Sequence, residues 1–524
     1  MSRRPFLATV GTAFLIVALA LSACTSSGDE PRAGEDERRP LQAVPDVEGA
    51  LERWRPWFEA LLGDSGVPGA SYAVVHDDRV IESGGFGVRE LGTDDAVDAD
   101  TVFQLASVSK PLGSTVVARL VGEGVIDWDD PIVEYAPEFA LSDPWVTQHV
   151  TFADLYSHRS GLPEHIGDQL EDLGASRQTV FEQLRVVPLA PFRASYAYTN
   201  FGMTVAGVTA ARAAGMSWED ASRQLLYEPL GMTHTSSTFA DYIAASNRAL
   251  PHQRVNGTWV RASQQRQPDA QSPAGGASST ANDLAQWLRL QLAMGSYDGQ
   301  PLVDETALQA THTAHIVSGV ARSADHLAPT YGLGWNVNAD PSGELRLSHS
   351  GAFALGAATA VEVSIGSDVA IVVLTNGSPI GVAEAATKTF MDFALYGEQT
   401  TDWVSVMTNA LAPMVDPVPD VDYSTPPAGA TPASPYTELV GTYANAFFGD
   451  LVVRDNGAGL ELVLGPDAMT FPLTHYDGDV FAFTLPGENA GPLTAVRFTV
   501  SNGRATSVEL DGYATSKVNT FVRV

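Results

Sequence analysis

The sequence predicts an α+β domain followed by a small all-β barrel or sandwich. Three observations carry this. Short strand-like runs open the body of the chain, helical patterns fill its middle, and strand-like runs return before residue 400. That order suits one antiparallel sheet flanked by helices, not the βαβα alternation of a doubly wound fold. Seven of the 32 prolines then fall between Pro413 and Pro435, in a stretch poor in large apolar residues that reads as a linker. Beyond it the pattern is all β, with Asn456-Gly457, Asp477-Gly478 and Asn502-Gly503 as hairpin-closing dipeptides.

Composition bounds the rest. A chain of 524 residues with 44% hydrophobic content is globular and exceeds one ordinary domain. Its formal charge of −32 supplies no basic face for phosphates, which argues against nucleic acid as a partner. A single cysteine excludes an intramolecular disulfide framework and a thiolate metal cluster. There are only three lysines, Lys110, Lys388 and Lys517, against 27 arginines, so each lysine merits inspection.

Taken in order, residues 1–23 read as a secretory signal peptide: Arg3-Arg4, an apolar run over 6–20, then Leu21-Ser22-Ala23. The run is too short for the usual transmembrane helix of about 20 residues. Cys24 directly follows, and Leu-Ser-Ala-Cys resembles a bacterial lipobox whose cysteine is acylated; the alternative is a plain signal peptide and an incidental cysteine. Cleavage before Cys24 removes Arg3 and Arg4 and takes the charge from −32 to −34. Residues 24–45 are polar and aperiodic, a flexible tether that leaves the body soluble and held to the membrane on its extracytoplasmic face.

The main domain is expected over 46–400. Residues 46–62 carry Leu51, Trp54, Trp57, Phe58 and Leu61 at helical spacing, with Gly63 as the stop. Runs at 70–76 and 79–83 flank Asp77-Asp78, a hairpin signal. Helices are expected over 107–123, 178–184, 203–214, 218–227 and 282–294. Strands are expected over 345–348, 357–364 and 368–376, then a helix over 381–396. The linker spans 401–435. The last domain spans 436–524, with strands at 451–454, 460–464, 480–485, 495–500, 507–510 and 519–522. At about 90 residues it is near the size at which one core suffices.

One lysine stands in a chemically suggestive place. Ser107-Val108-Ser109-Lys110 opens a helical pattern, and positions i and i+3 share a helix face, so hydroxyl and ammonium can meet. A serine hydroxyl needs a base to become a nucleophile, and a desolvated lysine with a lowered pKa can serve. The helix start also offers the backbone N–H of Ser107 to an oxyanion. The bland reading is an ordinary surface helix start. Two triplets add weight: Tyr198-Thr199-Asn200 in a loop before a helix, and His349-Ser350-Gly351 at the end of the 345–348 strand, where glycine lets a substrate backbone approach. Each recurs once, as Tyr443-Ala444-Asn445 and His165-Ile166-Gly167, so order and context decide.

S-x-x-K, Y-x-N and H-x-G in that order resemble the serine β-lactamase and penicillin-binding-protein superfamily, in the form typical of class C β-lactamases and related DD-peptidases and esterases. The flanks agree: TVFQLASVSK (101–110), GVIDWDDP (124–131), LYSHRSGLP (155–163), EPLGM (228–232), GGASSTAND (275–283) and YGLGW (331–335). The resemblance covers about residues 54–396. More loosely, VGTY (440–443) and FGDL (448–451) are similar to the lipocalin-like domain appended to such hydrolases.

The resemblance implies a β-lactamase-like fold with an all-α subdomain and an acyl-serine mechanism that needs no cofactor or metal. It implies that Ser107 attacks a carbonyl, that Lys110 and Tyr198 share the base work, and that Asn200 holds Lys110 and the acyl amide. It also implies an oxyanion hole built from the Ser107 and Ala352 N–H groups, Ala352 following Gly351. A neighbouring Lys110 ammonium is expected to favour the Tyr198 phenolate. One position departs. Where strict β-lactamases carry lysine, this chain has His349, mostly neutral at pH 7, so attraction to a substrate carboxylate should be weaker and pH-dependent. The expected activity is therefore ester or amide hydrolysis of a small molecule or peptide. The alternatives are a D-alanyl-D-alanine carboxypeptidase or endopeptidase, a β-lactamase, and a non-catalytic binding or scaffold protein. His312 and His315 have metal-like spacing but no thiol or paired acid beside them. His158 reads as a loop buttress. Oligomeric state is not legible from these patterns.

Overall fold

A computed structural model of the chain describes residues 44–524 apart from 322, 324, 325, 341, 416 and 517. Cys24, the signal peptide and all but the last two residues of the tether lie outside the described residues. Among those described, no helix is long and apolar enough to cross a membrane.

The first helix, Val47–Ser65, starts where the Asp46 side chain accepts from the Gly49 N–H at 3.0 Å. It runs past the expected stop at Gly63. The Trp259 indole instead satisfies the Ser65 carbonyl at 2.9 Å, and Gly66 turns the chain with a left-handed φ of 70°. Trp54, Phe58 and Leu62 bury one face of this helix against the sheet and the Val382–Tyr396 helix, where Trp54 donates to the Ala386 carbonyl at 2.8 Å. Each such side chain contributes about 1.5–3 kcal/mol by leaving water.

The sheet has eight antiparallel strands. In order they are Arg79–Gly87, Gly69–His76, Val369–Thr375, Ala357–Ser364, Leu345–Phe353, Asn336–Ala339, Thr330–Tyr331 and Ile316–Val317. Asp77 and Asp78, both at φ 53°, make the expected tight hairpin. Ala357–Ser364 and Val369–Thr375 are buried along their whole length because helices cover both faces. The Val47–Ser65 and Val382–Tyr396 helices lie on one side and Ala281–Leu292 packs on the other. The strand expected over 345–348 continues to Phe353, so the H-x-G triplet lies within it and not at its end. Asn336–Ala339 pairs with only the Leu345–Ser348 part of its neighbour, so among the described residues no strand covers the outer edge of His349–Phe353.

Between the sheet's first and last strands lies a helical region centred on Ser109–Gly122, which buries Leu112, Val116 and Leu120. Asn200–Ala213 crosses beside it. The expected 218–227 helix is α-helical only over Trp218–Ser222 and widens to a π-helical turn over Arg223–Tyr227.

The stretch expected as a linker begins with a helix, Trp403–Val415, docked on Val382–Tyr396. There Trp403 donates to Asp392 at 2.8 Å and Lys388 lies over the Trp403 ring. The last domain is a nine-stranded antiparallel sheet that curls into a nearly closed barrel. Its edge strands, Met469–Pro472 and Thr474–Asp477, are consecutive in the chain. Phe448, Phe471, Phe481, Phe483, Phe498 and Phe521 fill its interior.

Candidate active site

Ser107 sits in a single 3-10 turn, Ala106–Val108, that feeds directly into Ser109–Gly122. Ala106 has φ 46°, a left-handed conformation that costs a non-glycine residue about 1–2 kcal/mol. Its methyl packs with Phe353 and Ala357, which holds the turn in place. Strain and packing together hold a half-buried Ser107 beside the Leu345–Phe353 strand.

Lys110 is fully buried, and all three ammonium protons have acceptors: Ser107 Oγ at 3.0 Å, Asn200 Oδ1 at 2.7 Å and the Ala274 carbonyl at 2.8 Å. Burial pushes its amine down to about 7, against the pull of the Asp168 carboxylate. Near neutral pH a large share is therefore free amine. The amine keeps two donors for Asn200 and Ala274 and turns its lone pair to the Ser107 hydroxyl, which then donates. That is the geometry of a general base.

Tyr198, 4% exposed, lies with its ring 4.6 Å from Lys110 Nζ, and its hydroxyl hydrogen-bonds Ser107. Here the sequence expectation fails. Burial raises the phenol far above its ordinary value, the Asp168 charge adds to this, and the Ser107 hydrogen bond offsets only part. A lysine that is itself half neutral is too weak a positive charge to create a phenolate. Raised in this way, Tyr198 keeps its proton at neutral pH.

Asn200 caps this network from the first turn of its helix. Its Nδ2 donates to Asp168 Oδ2 at 2.9 Å, and that oxygen also contacts His165 Nδ1 at 2.9 Å. Asp168 and His165 were not singled out from sequence. His165 belongs to the duplicate H-x-G triplet, yet its ring lies 5.5 Å from Tyr198. The duplicate Tyr443-Ala444-Asn445 lies instead in the barrel, where Asn445 ties the Phe447 and Phe448 N–H groups to the Val518 and Thr520 carbonyls.

His349 faces the same site from the Leu345–Phe353 strand. Its Nδ1 lies 2.7 Å from the Ser350 carbonyl, which can only accept, so Nδ1 carries the proton and Nε2 accepts from the Tyr331 hydroxyl at 3.0 Å. Burial, with Lys110 nearby, holds the imidazole down to about 3. His349 is thus neutral across the physiological range, not partly charged near pH 7. Gly351 admits a close approach, but of the protein's own backbone: a Cβ there would lie 2.1 Å from the Leu105 carbonyl, 2.3 Å from Thr359 Oγ1 and 3.1 Å from the Ser107 nitrogen. This contact brings the Ser107 turn against the strand, with Ala352 next along its uncovered edge.

His158 is buried behind Tyr198, with ring centroids 4.6 Å apart, and its Nδ1 accepts from the Thr199 N–H at 3.1 Å. It braces the Tyr198 loop. His312 and His315 are held separately, by Gln291 at 2.9 Å and the Ala310 carbonyl at 3.1 Å.

Comparison with known proteins agrees with this architecture. Residues 54–395 match the Beta-lactamase family model, and residues 425–521 match a domain of unknown function. Penicillin-binding protein 4 of Amycolatopsis lactamdurans is 30% identical over 379 residues, 70% of this chain and 94% of that protein. The D-alanyl-D-alanine-carboxypeptidase/endopeptidase AmpH of Escherichia coli strain K12 is 23% identical over 56% of this chain and 75% of its own length. Among solved structures, a class C beta lactamase from Rhodobacter sphaeroides superposes with a TM-score of 0.53 at 21% identity, covering 66% of this chain and 97% of that one, a likeness of fold. The chain belongs to the β-lactamase family of serine hydrolases.

Proposed function

We propose that the protein hydrolyses an ester or amide bond through an acyl-Ser107 intermediate. The observation that carries this reading is a buried Lys110 amine, brought down to about 7, at 3.0 Å from the Ser107 hydroxyl. In acylation, Ser107 Oγ bonds to the substrate carbonyl carbon as its proton passes to Lys110 Nζ. The carbonyl π electrons move to oxygen, which the Ser107 and Ala352 N–H groups stabilise. Collapse re-forms the carbonyl and expels the leaving group, which takes a proton from the Tyr198 phenol; Lys110 returns one to Tyr198. Water then attacks the acyl carbon by the same route and frees Ser107.

Ester and small amide substrates are favoured because the neutral His349 offers no fixed charge to a carboxylate. The second reading, a carboxypeptidase or endopeptidase acting on cell-wall peptide, draws support from the names of the relatives. Attachment through an acylated Cys24 would hold either activity at the outer face of the membrane.

A fluorophosphonate or fluorescent penicillin should label Ser107, and a turnover panel of p-nitrophenyl esters, nitrocefin and a D-Ala-D-Ala peptide should rank esters first. Fastest turnover of the D-Ala-D-Ala peptide selects the second reading. Absence of labelling by every acylating probe, with the protein folded, rejects both and leaves the scaffold reading.

A further inference from the structure

The barrel meets the site's scaffold through the loop that carries Glu488. Gly487–Asn489 forms a 3-10 turn between two barrel strands, and the Glu488 carboxylate accepts from the backbone N–H of Ala354 and also engages that of Leu355. Ala354 is the first residue beyond the Leu345–Phe353 strand, two positions after Ala352. The Glu488 N–H donates to Asp172 Oδ1 at 3.3 Å. Asp172 ends the short helix Asp168–Asp172, whose first residue holds Asn200 and, through it, Lys110. Arg266 closes the ring. It is 8% exposed, binds Asp172 at 2.9 Å and also Glu171, and stands over the Phe353 ring at 5.9 Å. Its carbonyl accepts from Gln104 at 2.8 Å, three residues before Ser107.

The contact is close and specific. Gly487 has φ 65°, and a Cβ there would lie 2.5 Å from Asp172 Oδ1. Gly465 in the barrel meets the Leu173 carbonyl, and Gly174 in the main domain meets Asp467, both at distances that exclude a side chain. Phe448, Phe471, Phe481, Phe483, Phe498 and Phe521 pack the barrel interior.

From this geometry we infer that Glu488 of the C-terminal barrel is a positioning residue for acyl transfer. It fixes the end of the strand that carries Ala352 and ties it, through Asp172 and Arg266, to the helix that supports Asn200 and Lys110. The barrel thereby becomes part of the catalytic scaffold without touching substrate. This rests on the proposed acyl-Ser107 mechanism. An oxyanion donor displaced by a fraction of an ångström loses rate while ground-state binding changes little.

The test uses the full chain in three forms: wild type, Glu488→Ala and Glu488→Gln. Glutamine keeps an oxygen for the Ala354 N–H, so it should act as the rescue variant. Glu488→Ala should lower kcat for a p-nitrophenyl ester and the fluorophosphonate labelling rate by roughly tenfold, with KM within about twofold and Ser107 still the labelled residue. Glu488→Gln should stay within about threefold of wild type. Equal labelling rates and kcat in wild type and Glu488→Ala overturn the inference and leave the acyl-serine reading intact. An unlabelled, inactive wild type refutes that reading, and this inference with it. If Glu488→Ala loses its cooperative melting transition, Glu488→Asp decides: it keeps the carboxyl group but withdraws it by one methylene. A rate loss with normal melting supports the role, and an unchanged rate overturns it.

Discussion

Replacing Asp168 with asparagine tests the electrostatics of the site most directly. The asparagine carbonyl can occupy the Oδ2 position and keep the hydrogen bonds to Asn200 and His165, so the perturbation is the loss of one negative charge. Asp168 is separated from Lys110 Nζ by the amide of Asn200, through contacts of 2.9 and 2.7 Å. Two unit charges about 6 Å apart at an effective dielectric near 20 attract by about 3 kcal/mol. That equals about two pH units, an upper limit because the Asn200 dipole between them relaxes. Asp168 raises the Lys110 pKa, so its removal lowers it. The base acts as free amine, so activity rises with pH through the Lys110 pKa, and the acid limb of kcat/KM lies near 7 in the wild type. In Asp168→Asn this limb should move about one to two pH units toward acid while the plateau above it persists. Steady-state hydrolysis of a p-nitrophenyl ester from pH 4.5 to 9, with melting curves alongside, measures it. A limb that stays in place or moves toward alkali, in a folded variant, refutes the assignment of Lys110 as the base.

Three other expectations follow from the same geometry. Tyr198→Phe removes the proton donor, so hydrolysis of an amide or alkyl ester should fall by roughly 10²–10⁴, and that of a p-nitrophenyl ester, whose leaving group needs no proton, by much less; equal losses on both substrates refute the donor role. Gly351→Ala drives a methyl into the Leu105 carbonyl and Thr359 Oγ1 and should cost about 2–4 kcal/mol, read as a lowered Tm and slower labelling of Ser107; a wild-type melting curve contradicts the close approach. Because His349 stays neutral down to about 3, the KM ratio between a carboxylate-bearing ester and its neutral amide analogue should hold within about twofold from pH 8 to 5.5; a ratio that improves tenfold on acidification shows a titrating imidazole.

What the sequence revealed divides along physical lines. The strands 357–364 and 460–464 read out at their full length because continuous burial leaves a continuous apolar run. The pairing of Ser107 with Lys110 needs only the periodicity of one helix. The short strands 316–317, 330–331 and 336–339 left no pattern, being too brief for alternation to show. Asp168 was invisible because its partner is 32 residues away and only folding brings the two together. Protonation states misled for the same reason. Lys110, Tyr198 and His349 shift chiefly through desolvation, and how deeply a residue is buried is a property of the whole fold. His165 was discounted as a repeat of a short triplet, and only its position beside Tyr198 marks it out.

The uncovered edge of His349–Phe353 has a consequence beyond chemistry. A bare strand edge presents unpaired N–H and C=O groups, a template on which a foreign chain can add as a further strand. In this protein the exposed stretch is brief. Asn336–Ala339 covers the strand as far as Ser348, and Glu488 claims the first N–H beyond its end. What stays open is the stretch from His349 to Phe353. The barrel loop thus shortens the open edge by one N–H, and its removal would lengthen the stretch on which a further strand could add.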